Sequence, residues 1–467
     1  MSTIRYVLIC CFVQLYATAV QSQKQANVWY FPDQSGLDFS SGEAVPLDDG
    51  ILPWSEGCSS ICDSSGQLLM YANPTTVWNR NHQIMPYGDG LLGGNSSTQG
   101  CLIVPKPSSD HIFYVFTLDE FQHDLENGLR YSLVDMCCDD GFGCVMFEQK
   151  NILILEDAGE KLAATYHSSG VDIWILSREH HSNEFHAFLI TESGIQNSVV
   201  SAIGWDNDQN LVANAIGQMK ISPDGSKVAM AVSNQMPNVI QLFDFDNTTG
   251  IVSNMVDLPT PTNTGFAYGV AFSPDNSKLY IQGMPPTGLD QYDISSGVAS
   301  EIIDSQHHVT WNGPYGGTGL QLANNGKIYV CQPINIGVIH SPNLAGDACN
   351  FEGNAITSNS IYSLPSFIDN FQYTNTVTNC DVGLSSNTEE EITLFPNPAS
   401  DQFTINIPKD FLDGEIQIRN SVGATMERMM VKGRKQIQYN LTNYSSGVYY
   451  IQVRNSSHQL SQKVIVE

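Results

Sequence analysis

A strand–turn–strand unit recurs three times in this chain at intervals close to 50 residues, and this repeat limits the fold more than any other feature. The three copies are Ile221–Val228, Phe272–Leu279 and Leu322–Tyr329. In the turn, proline presets φ, aspartate hydrogen-bonds to the backbone, and glycine or asparagine accepts positive φ. A second hairpin follows two of the copies, at Val239–Asp246 and Leu289–Ile294. Four short strands in about 50 residues are typical of one blade of a β-propeller.

Earlier segments fit less regular blades of the same kind. The strand pairs are Gly66–Ala72 with Thr76–Asn79, Cys101–Pro105 with Ile112–Phe116, and Asp172–Leu176 with Phe185–Ile190. They bring the count to six units between Gly57 and Asn354. The strand Ala26–Phe31, with Leu37–Phe39, can pair with Ile361–Phe371 as a seventh blade, which would close the ring and remove the sheet edges. We therefore predict an all-β propeller of six or seven blades, with seven favoured, over residues 20–373.

Charge excludes several kinds of partner. The formal net charge is −28, so nucleic acid is not expected as a partner, because binding phosphates needs clustered lysine and arginine. The acidity also disfavours anionic membrane surfaces. It is explained by solubility in an exposed, salty environment, and calcium is the one cofactor that it leaves open.

The amino end predicts export. Arg5 precedes an apolar run from Tyr6 to Leu15, and Ala17-Thr18-Ala19 follows. This order is typical of a secretory signal peptide, here residues 1–19. A transmembrane anchor is the alternative, but the run falls short of the roughly 20 apolar residues that a span requires. No other segment is long and apolar enough to cross a bilayer, so we expect no transmembrane segment after the signal is removed.

The carboxyl end predicts a second, smaller domain. Residues 374–391 have no apolar periodicity and read as a linker. Beyond them, apolar and polar residues alternate at Phe403, Ile405 and Ile407, and again at Ile416 and Ile418. This pattern predicts antiparallel strands in a small β-sandwich over residues 392–467.

Four segments of this tail carry a resemblance. They are Leu394–Ala399, Ile416–Gly423, Ser446–Val453 and Gln462–Glu467. Their order resembles the C-terminal sorting domain of the type IX secretion system, found in Bacteroidota-like bacteria. The resemblance implies a type A-like sorting signal, handling by the type IX secretion machinery, and a secreted or outer-membrane surface location. The positions that it marks are Pro396, Asn397, Pro398, Gly423, Gly447, Tyr449 and Lys463. For Gly423 and Gly447, shaping a turn is the alternative role.

The body of the chain also resembles known propellers. The segments Trp29–Phe31 with Gly36–Phe39, Val77–His82 and Leu102–Pro107 look like a propeller family common among secreted Bacteroidota proteins that carry this tail. The later repeats resemble the YVTN-type and lactonase-like propellers. Both resemblances imply a fold more than a function, since propellers include enzymes, lectins and docking platforms.

The cysteines do not determine a pairing. Nine remain once Cys10 and Cys11 leave with the signal, so at least one is unpaired or bonded to another molecule. Connectivity cannot be deduced from spacing. Cys58 with Cys62, and Cys137 and Cys138 with Cys144, could suggest a metal site, but no partner stands at zinc spacing. We expect structural or disulfide roles.

One polar segment, Arg178–His186, has residues capable of chemistry. Its imidazoles and carboxylates could hold zinc or act as general acid and base. However, it lies between two predicted strands, where a polar hairpin loop is expected. We therefore predict a structural or surface role for it, and no catalytic residue or metal ligand in the chain.

The candidate ligand-binding residues are Trp78, Asn79, Arg80 and His82. An aromatic face beside asparagine and arginine donors suits a sugar, although a blade-connecting loop with a buried tryptophan has the same pattern. The sequence favours a non-enzymatic propeller that serves as a scaffold for binding a glycan or protein. The alternative is a hydrolase or lactonase-like enzyme that uses the central channel, and a third is a structural adhesion or matrix component. A convergent set of acids, bases or metal ligands at the channel would favour the enzyme.

Overall fold

The computed structural model describes residues 24–205, 215–232, 239–260, 267–283, 288–310, 319–332, 335–358, 363–370, 392–420, 425–442, 444–455 and 459–466. The chain divides into two compact units, Met1–Cys380 and Asp381–Glu467. The predicted signal peptide and the predicted linker lie outside the described residues.

The described residues of the first unit form seven antiparallel sheets that follow one another along the chain, and they are numbered here in chain order. Sheet 1 contains β1 (Val28–Phe31), β2 (Ser35–Asp38) and β3 (Val45–Leu47). Sheet 2 contains β4 (Ser59–Cys62), β5 (Leu68–Ala72), β6 (Thr76–Asn79) and β7 (Ile84–Asp89). Sheet 3 contains β8 (Cys101–Pro105), β9 (Ile112–Leu118), β10 (Leu129–Asp135), β11 (Cys144–Val145) and β12 (Ile152–Leu155). Sheet 4 contains β13 (Ala158–Tyr166), β14 (Ile173–Glu179), β15 (Glu184–Thr191), β16 (Gly194–Ile195) and β17 (Val199–Ala202).

The later sheets each have four strands. Sheet 5 contains β18 (Met219–Ile221), β19 (Lys227–Val232), β20 (Val239–Asp246) and β21 (Ile251–Pro259). Sheet 6 contains β22 (Ala267–Phe272), β23 (Lys278–Gly283), β24 (Leu289–Asp293) and β25 (His307–Val309). Sheet 7 contains β26 (Leu320–Leu322), β27 (Ile328–Cys331), β28 (Asn335–Ile339) and β29 (Phe351–Thr357). In the described residues of this unit, the helices are α1 (Ala299–Asp304) and the short 3₁₀ turns Lys24–Ala26, Phe121–His123, Asp139–Gly141, Phe147–Gln149 and Gly346–Cys349.

Two glutamine side chains that lie just before the first strands of sheets 3 and 5 form hydrogen bonds to the first strands of other sheets. The amide of Gln99 exchanges two hydrogen bonds with the backbone of Met219, at 2.7 and 3.0 Å. Gln218 Oε1 accepts from the backbone N–H of Val270 at 3.2 Å and of Leu320 at 3.0 Å. The first strands are therefore innermost, as in a propeller.

The ring closes between sheet 7 and the amino-terminal sheet 1. Trp29 meets Tyr329 edge to face with ring centroids 5.5 Å apart. Asn324 donates a 2.6 Å hydrogen bond to the side chain of Asn27, and Lys327 pairs with Glu43 at 2.6 Å. The fold is thus a β-propeller with seven sheets in the described residues, which confirms the predicted fold class.

The repeated turns have the predicted chemistry. Asp224 accepts from the Ser222 hydroxyl at 2.6 Å and from the Ser226 backbone N–H at 3.0 Å, and Gly225 has φ of 71°. In the next repeat Asp275 accepts the equivalent bonds, and Asn276 has φ of 62°. Only glycine and a few short polar residues tolerate this left-handed backbone readily.

One expectation for the ring is wrong. The segment 361–371 was expected to pair with the amino-terminal strands, but its described residues 363–370 form no strand, and sheet 1 consists of β1–β3. Instead, the backbone N–H of Ser366 donates to the Cys58 carbonyl at 2.8 Å, and that of Asp369 donates to the Ala164 carbonyl at 3.0 Å. The segment lies buried against the first strands of several sheets. Leu364, Phe367 and Ile368 are buried in this segment, and buried apolar residues in a short stretch are also expected of a strand, which explains the error.

The cysteines are mostly buried thiols. Cys138 and Cys144 form a disulfide with 5.8 Å between their Cα atoms. Among the other described cysteines, Cys58, Cys62, Cys101, Cys331 and Cys349 are buried and Cys137 is half-buried. Burial raises the pKa of the Cys58 thiol to about 12, so it stays protonated and unreactive at neutral pH.

The second unit is a two-sheet β-sandwich. Sheet 8 contains β30 (Thr393–Phe395), β31 (Gln402–Asn406) and β34 (Gln436–Asn440). Sheet 9 contains β32 (Glu415–Asn420), β33 (Thr425–Met430), β35 (Gly447–Arg454) and β36 (Gln459–Val466), and a 3₁₀ turn spans Lys409–Phe411. Phe403 and Ile405 from sheet 8 pack with Ile416 and Ile451 from sheet 9 in one core. The predicted alternation therefore marks the inward faces of the sandwich.

Across the described ranges of both units, no helix has the length and apolar character needed to span a bilayer.

Candidate functional site

The four predicted ligand-binding residues lie on the hairpin that joins β6 to β7. Trp78 is 5% exposed and stacks on Tyr71, with ring centroids 5.5 Å apart and planes 13° apart. Asn79 is buried, and its side-chain oxygen accepts from the backbone N–H of Asn81 at 2.9 Å and of Gln83 at 3.1 Å. These two residues hold the hairpin in shape, which leaves direct contact with a ligand to the other two.

Arg80 and His82 reach the surface of this hairpin. Arg80 is exposed, donates a 2.8 Å hydrogen bond to the Gly141 carbonyl and lies 4.6 Å from the ring centroid of Phe142. His82 is half-buried, with Nδ1 3.0 Å from the Tyr71 hydroxyl. The hydrogen bond to Gly141 and the cation–π contact with Phe142 therefore hold the Arg80 guanidinium in one place.

Strand β7 continues from this hairpin to an exposed aromatic pair. Tyr87 is 57% exposed and Phe147 is 66% exposed, and their ring centroids lie 5.4 Å apart. Tyr87 also has φ of 59°, which is unusual for a bulky residue. Backbone conformations of this kind concentrate at functional sites. Arg80, Phe142, Tyr87 and Phe147 are called the aromatic rim below.

A groove of about 790 Å³ opens between sheets 3 and 4. The 3₁₀ turn that begins with Phe147 of the rim ends with Gln149, which lines the groove. The lining includes Lys106, Tyr114, Tyr131, Gln149, Ile152, Ile154, Phe188, Gln196, Asn197 and Ser198. Tyr114 and Tyr131 meet edge to face at 5.3 Å. Aromatic faces with a few amide and hydroxyl groups are the usual composition of a small-molecule site.

The two tyrosines act as neutral hydrogen-bonding groups. Burial raises the pKa of Tyr114 to about 12 and also raises the pKa of Tyr131. Both hydroxyls therefore keep their proton at neutral pH and can donate as well as accept.

A second polar cluster lies at one end of the innermost strands. Glu160 is fully buried and accepts from Thr98 N at 2.8 Å, Thr98 Oγ1 at 2.9 Å and Phe121 N at 2.8 Å. Desolvation raises its pKa to about 7 despite these bonds. A carboxyl group with this pKa can exchange a proton near neutral pH.

Further groups converge on the same point. The Tyr268 hydroxyl donates to Glu56 Oε2 at 2.8 Å and lies 3.0 Å from Thr98 Oγ1. The neighbouring Lys161 is buried, donates to the Gly217 carbonyl at 3.1 Å, and has a pKa that desolvation lowers to about 7. Sequence reasoning missed this cluster because its members come from different blades. The only available signal was their position near the start of innermost strands.

The segment Arg178–His186 forms the expected hairpin between β14 and β15. His181 lies 2.7 Å from Asp157 at its exposed tip, and His180 is buried beside it. Metal-ligating atoms of Glu179, Glu184 and His186 lie within 4.8 Å of one another on this hairpin. The sequence indicated that imidazoles and carboxylates of this segment could hold zinc, but it could not show which of them lie together.

The predicted sorting residues lie mostly around strands β35 and β36. Pro396, Asn397 and Pro398 join β30 to β31, and Asn397 donates to the Lys463 carbonyl at 2.8 Å and accepts from Ile465 N at 2.9 Å. Gly447 begins β35 opposite Val466, and the Tyr449 hydroxyl donates to the Ser445 carbonyl at 3.0 Å. Gly423 lies outside the described residues.

The folds define this chain as a β-propeller protein with a carboxy-terminal β-sandwich. Residues 393–467 match the family described as "Secretion system C-terminal sorting domain". The chain therefore carries a type IX sorting domain, which directs export by the type IX secretion machinery to the cell surface or beyond. The predicted sorting tail is confirmed.

Solved structures similar to the chain share little sequence with it. A functionally unknown protein from Desulfotomaculum acetoxidans is 13% identical, with a TM-score of 0.41, covering 73% of this chain and 99% of that one. A protein provisionally assigned as a 6-phosphogluconolactonase from Bacteroides uniformis is 12% identical, with a TM-score of 0.44, covering 69% and 93%. A similarly assigned protein from Bacteroides fragilis is 11% identical, with a TM-score of 0.45, covering 71% and 92%. No curated protein matches the chain.

Proposed function

We propose that this protein is a secreted or outer-membrane surface propeller that binds carbohydrate on the side formed by sheets 2 to 4. The observation that supports this most is the groove between sheets 3 and 4, where aromatic rings stand beside amide side chains. Sugar rings offer apolar faces and hydroxyl edges, and this composition complements both. Export through the sorting domain brings the propeller to extracellular glycans.

The groove supplies the two kinds of contact that a sugar needs. The half-buried Tyr131 presents aromatic surface, while the exposed Gln196 and Asn197 present amide donors and acceptors. Neutral tyrosine hydroxyls add further hydrogen bonds. Lys106 is the charged member of the lining described above, which suits an uncharged glycan or one with few acidic groups.

The aromatic rim extends the binding surface beyond the groove. In the proposal Arg80 and His82 contact the ligand, and Trp78 and Asn79 position the hairpin that carries them. The exposed pair Tyr87 and Phe147 offers an apolar platform between the hairpin and Gln149. Together these surfaces suit an extended oligosaccharide better than a single sugar.

A glycan microarray probed with the purified full-length chain tests the proposal. We expect binding to a restricted group of oligosaccharides, and loss of that binding in Tyr131→Ala and Gln196→Ala. The matched control is Tyr450→Ala, which removes a 41% exposed tyrosine from the sorting domain. An empty array, or equal binding by wild type and Tyr131→Ala, would contradict the proposal.

A hydrolase that uses the end of the channel is the second candidate function. The observation that favours it is Glu160, whose pKa near 7 suits a general acid or base, with the Tyr268 hydroxyl and Glu56 close by. Turnover of simple lactones that is lost in Glu160→Gln would support it. Absence of turnover in the wild type would remove it.

A further inference from the structure

Three side chains with metal-ligating atoms share one face of sheet 4. Arg178 pairs with Phe185 across β14 and β15, so the next pair along the hairpin is Glu179 opposite Glu184. Residues directly opposite on antiparallel strands lie on the same face, and so do residues two apart on one strand. This places Glu179, Glu184 and His186 together, with their ligating atoms within 4.8 Å of one another.

The imidazole of His186 is arranged as a metal ligand would be. Its side chain is 12% exposed, and Nδ1 lies 3.2 Å from the Ser198 hydroxyl. Nε2 is buried and makes no hydrogen bond in the described structure, and the nearest carboxylate oxygen, on Glu184, is 3.8 Å away. Metal-binding histidines commonly donate their second ring N–H to a neighbouring group, which fixes the tautomer. In the tautomer that carries its proton on Nδ1, this N–H donates to Ser198 and the Nε2 lone pair is left for a metal ion.

The two carboxylates also favour a cation between them. Like charges directly opposite on neighbouring strands destabilise a sheet. Arg178 does not relieve this pair, because its guanidinium lies over Phe185 at 5.3 Å, on the other face of the strands. The Ser182 hydroxyl donates to Glu179 Oε2 at 2.6 Å and orients that carboxylate.

We propose that Glu179, Glu184 and His186 form a binding site for a divalent transition-metal ion of the zinc class. An imidazole nitrogen with two carboxylates suits zinc better than calcium or magnesium, which prefer all-oxygen ligands. Zinc lies about 2.0–2.2 Å from such ligands, so the side chains must close in by roughly 1 Å. Three protein ligands leave a coordination position open to water or to a ligand.

A second group of side chains provides an internal comparison. His111, Asp135 and Cys137 also bring ligating atoms within 4.8 Å of one another. There, however, His111 Nδ1 lies 2.7 Å from Asp110, and Asp135 Oδ1 accepts from the Cys137 backbone N–H at 2.8 Å. These groups already have partners, so His111→Ala is the matched control.

Calorimetric titration of the chelator-treated full-length chain with zinc chloride tests the site. We expect one zinc ion per chain with micromolar or tighter affinity. Glu184→Gln and His186→Ala should lose at least about tenfold in affinity. Ser198→Ala, which removes the hydroxyl that orients the His186 ring, should lose a similar amount, while His111→Ala should bind like the wild type. Because the Glu184 side chain is 41% exposed, its substitution should leave the fold intact. No zinc binding by the wild type, or unchanged binding by both Glu184→Gln and His186→Ala, would overturn the proposal.

Discussion

The side-chain amide of Asn397 donates a 2.8 Å hydrogen bond to the backbone carbonyl of Lys463, and its oxygen accepts from Ile465 N at 2.9 Å. One asparagine thereby fastens the connection between β30 and β31 to the last strand of the sandwich. Both residues were marked by the sorting resemblance. The contact uses only the backbone of Lys463, so its side chain is left for another role.

Because Asn397 contacts only the backbone of Lys463, substitutions at the two positions should affect the stability of the sandwich differently. Asn397→Ala loses two hydrogen bonds and should destabilise the sandwich by about 1–3 kcal/mol, with less protein exported. Lys463→Ala keeps the contact, so its thermal stability should match the wild type. Thermal melting of each full-length variant, with immunoblots of cell and medium fractions, checks both. Unchanged stability of Asn397→Ala would contradict the structural role.

The buried pair of Lys220 and Asp369 should anchor segment 363–370 inside the ring. Their charged atoms lie 3.5 Å apart, and Asp369 also accepts from Ile221 N at 2.8 Å. Asp369→Ala leaves a buried lysine without its counter-ion, which should cost about 3–5 kcal/mol of unfolding free energy. Urea unfolding measures this cost, and the double variant Asp369→Ala with Lys220→Met should recover much of it. A single variant as stable as the wild type would contradict the anchor.

Glu160 should make stability depend on pH. Its pKa rises from an ordinary 4.5 to about 7 on folding, so the folded chain binds the proton more tightly. Glu160 therefore adds its full contribution to the free energy of unfolding below about pH 4.5. This contribution, about 3 kcal/mol, is lost as the pH rises through 7. Lys161 has a lowered pKa and acts in the opposite direction above pH 7. Comparing wild type with Glu160→Gln isolates the carboxyl group, and the variant should lose less stability between pH 5 and 8. The same pH dependence of the free energy of unfolding in wild type and Glu160→Gln would contradict the raised pKa of Glu160.

Arg80 should hold the segment that follows Cys138 against the β6–β7 hairpin. Arg80→Ala removes the hydrogen bond to Gly141 and the contact with Phe142, and should cost about 1–2 kcal/mol. Arg80→Lys keeps the charge but loses the planar stacking, so an intermediate loss is expected. Chemical unfolding of the wild type, Arg80→Ala and Arg80→Lys measures their free energies of unfolding and therefore ranks them. A lysine variant weaker than the alanine variant would contradict this account.

Local chemistry made much of the fold predictable. The side chains of Asp224 and Asp275 form turns through hydrogen bonds to residues two positions away, so the repeat was visible in the sequence. The alternation from Phe403 to Ile407 likewise reports which face of a strand is buried. These signals depend on neighbours in the chain and need no tertiary structure.

The sites were harder to predict because they depend on distant residues. Glu56 and Tyr268 are 212 positions apart, and only the closed ring brings them together. The groove joins Tyr131 to Gln196 across two sheets, and neither lies in a recognisable motif. The Trp78–His82 hairpin was visible as a polar loop beside an aromatic, but the sequence could not show which side chains are exposed. Its role in binding a ligand stays a prediction.

The most direct test of the binding account is calorimetric titration of the best oligosaccharide from the array into three full-length proteins. These are the wild type, Tyr131→Ala and the control Tyr450→Ala. The account predicts saturable binding by the wild type and the control, with at least about a tenfold loss of affinity in Tyr131→Ala. Equal affinity in all three proteins would contradict the groove as the binding site.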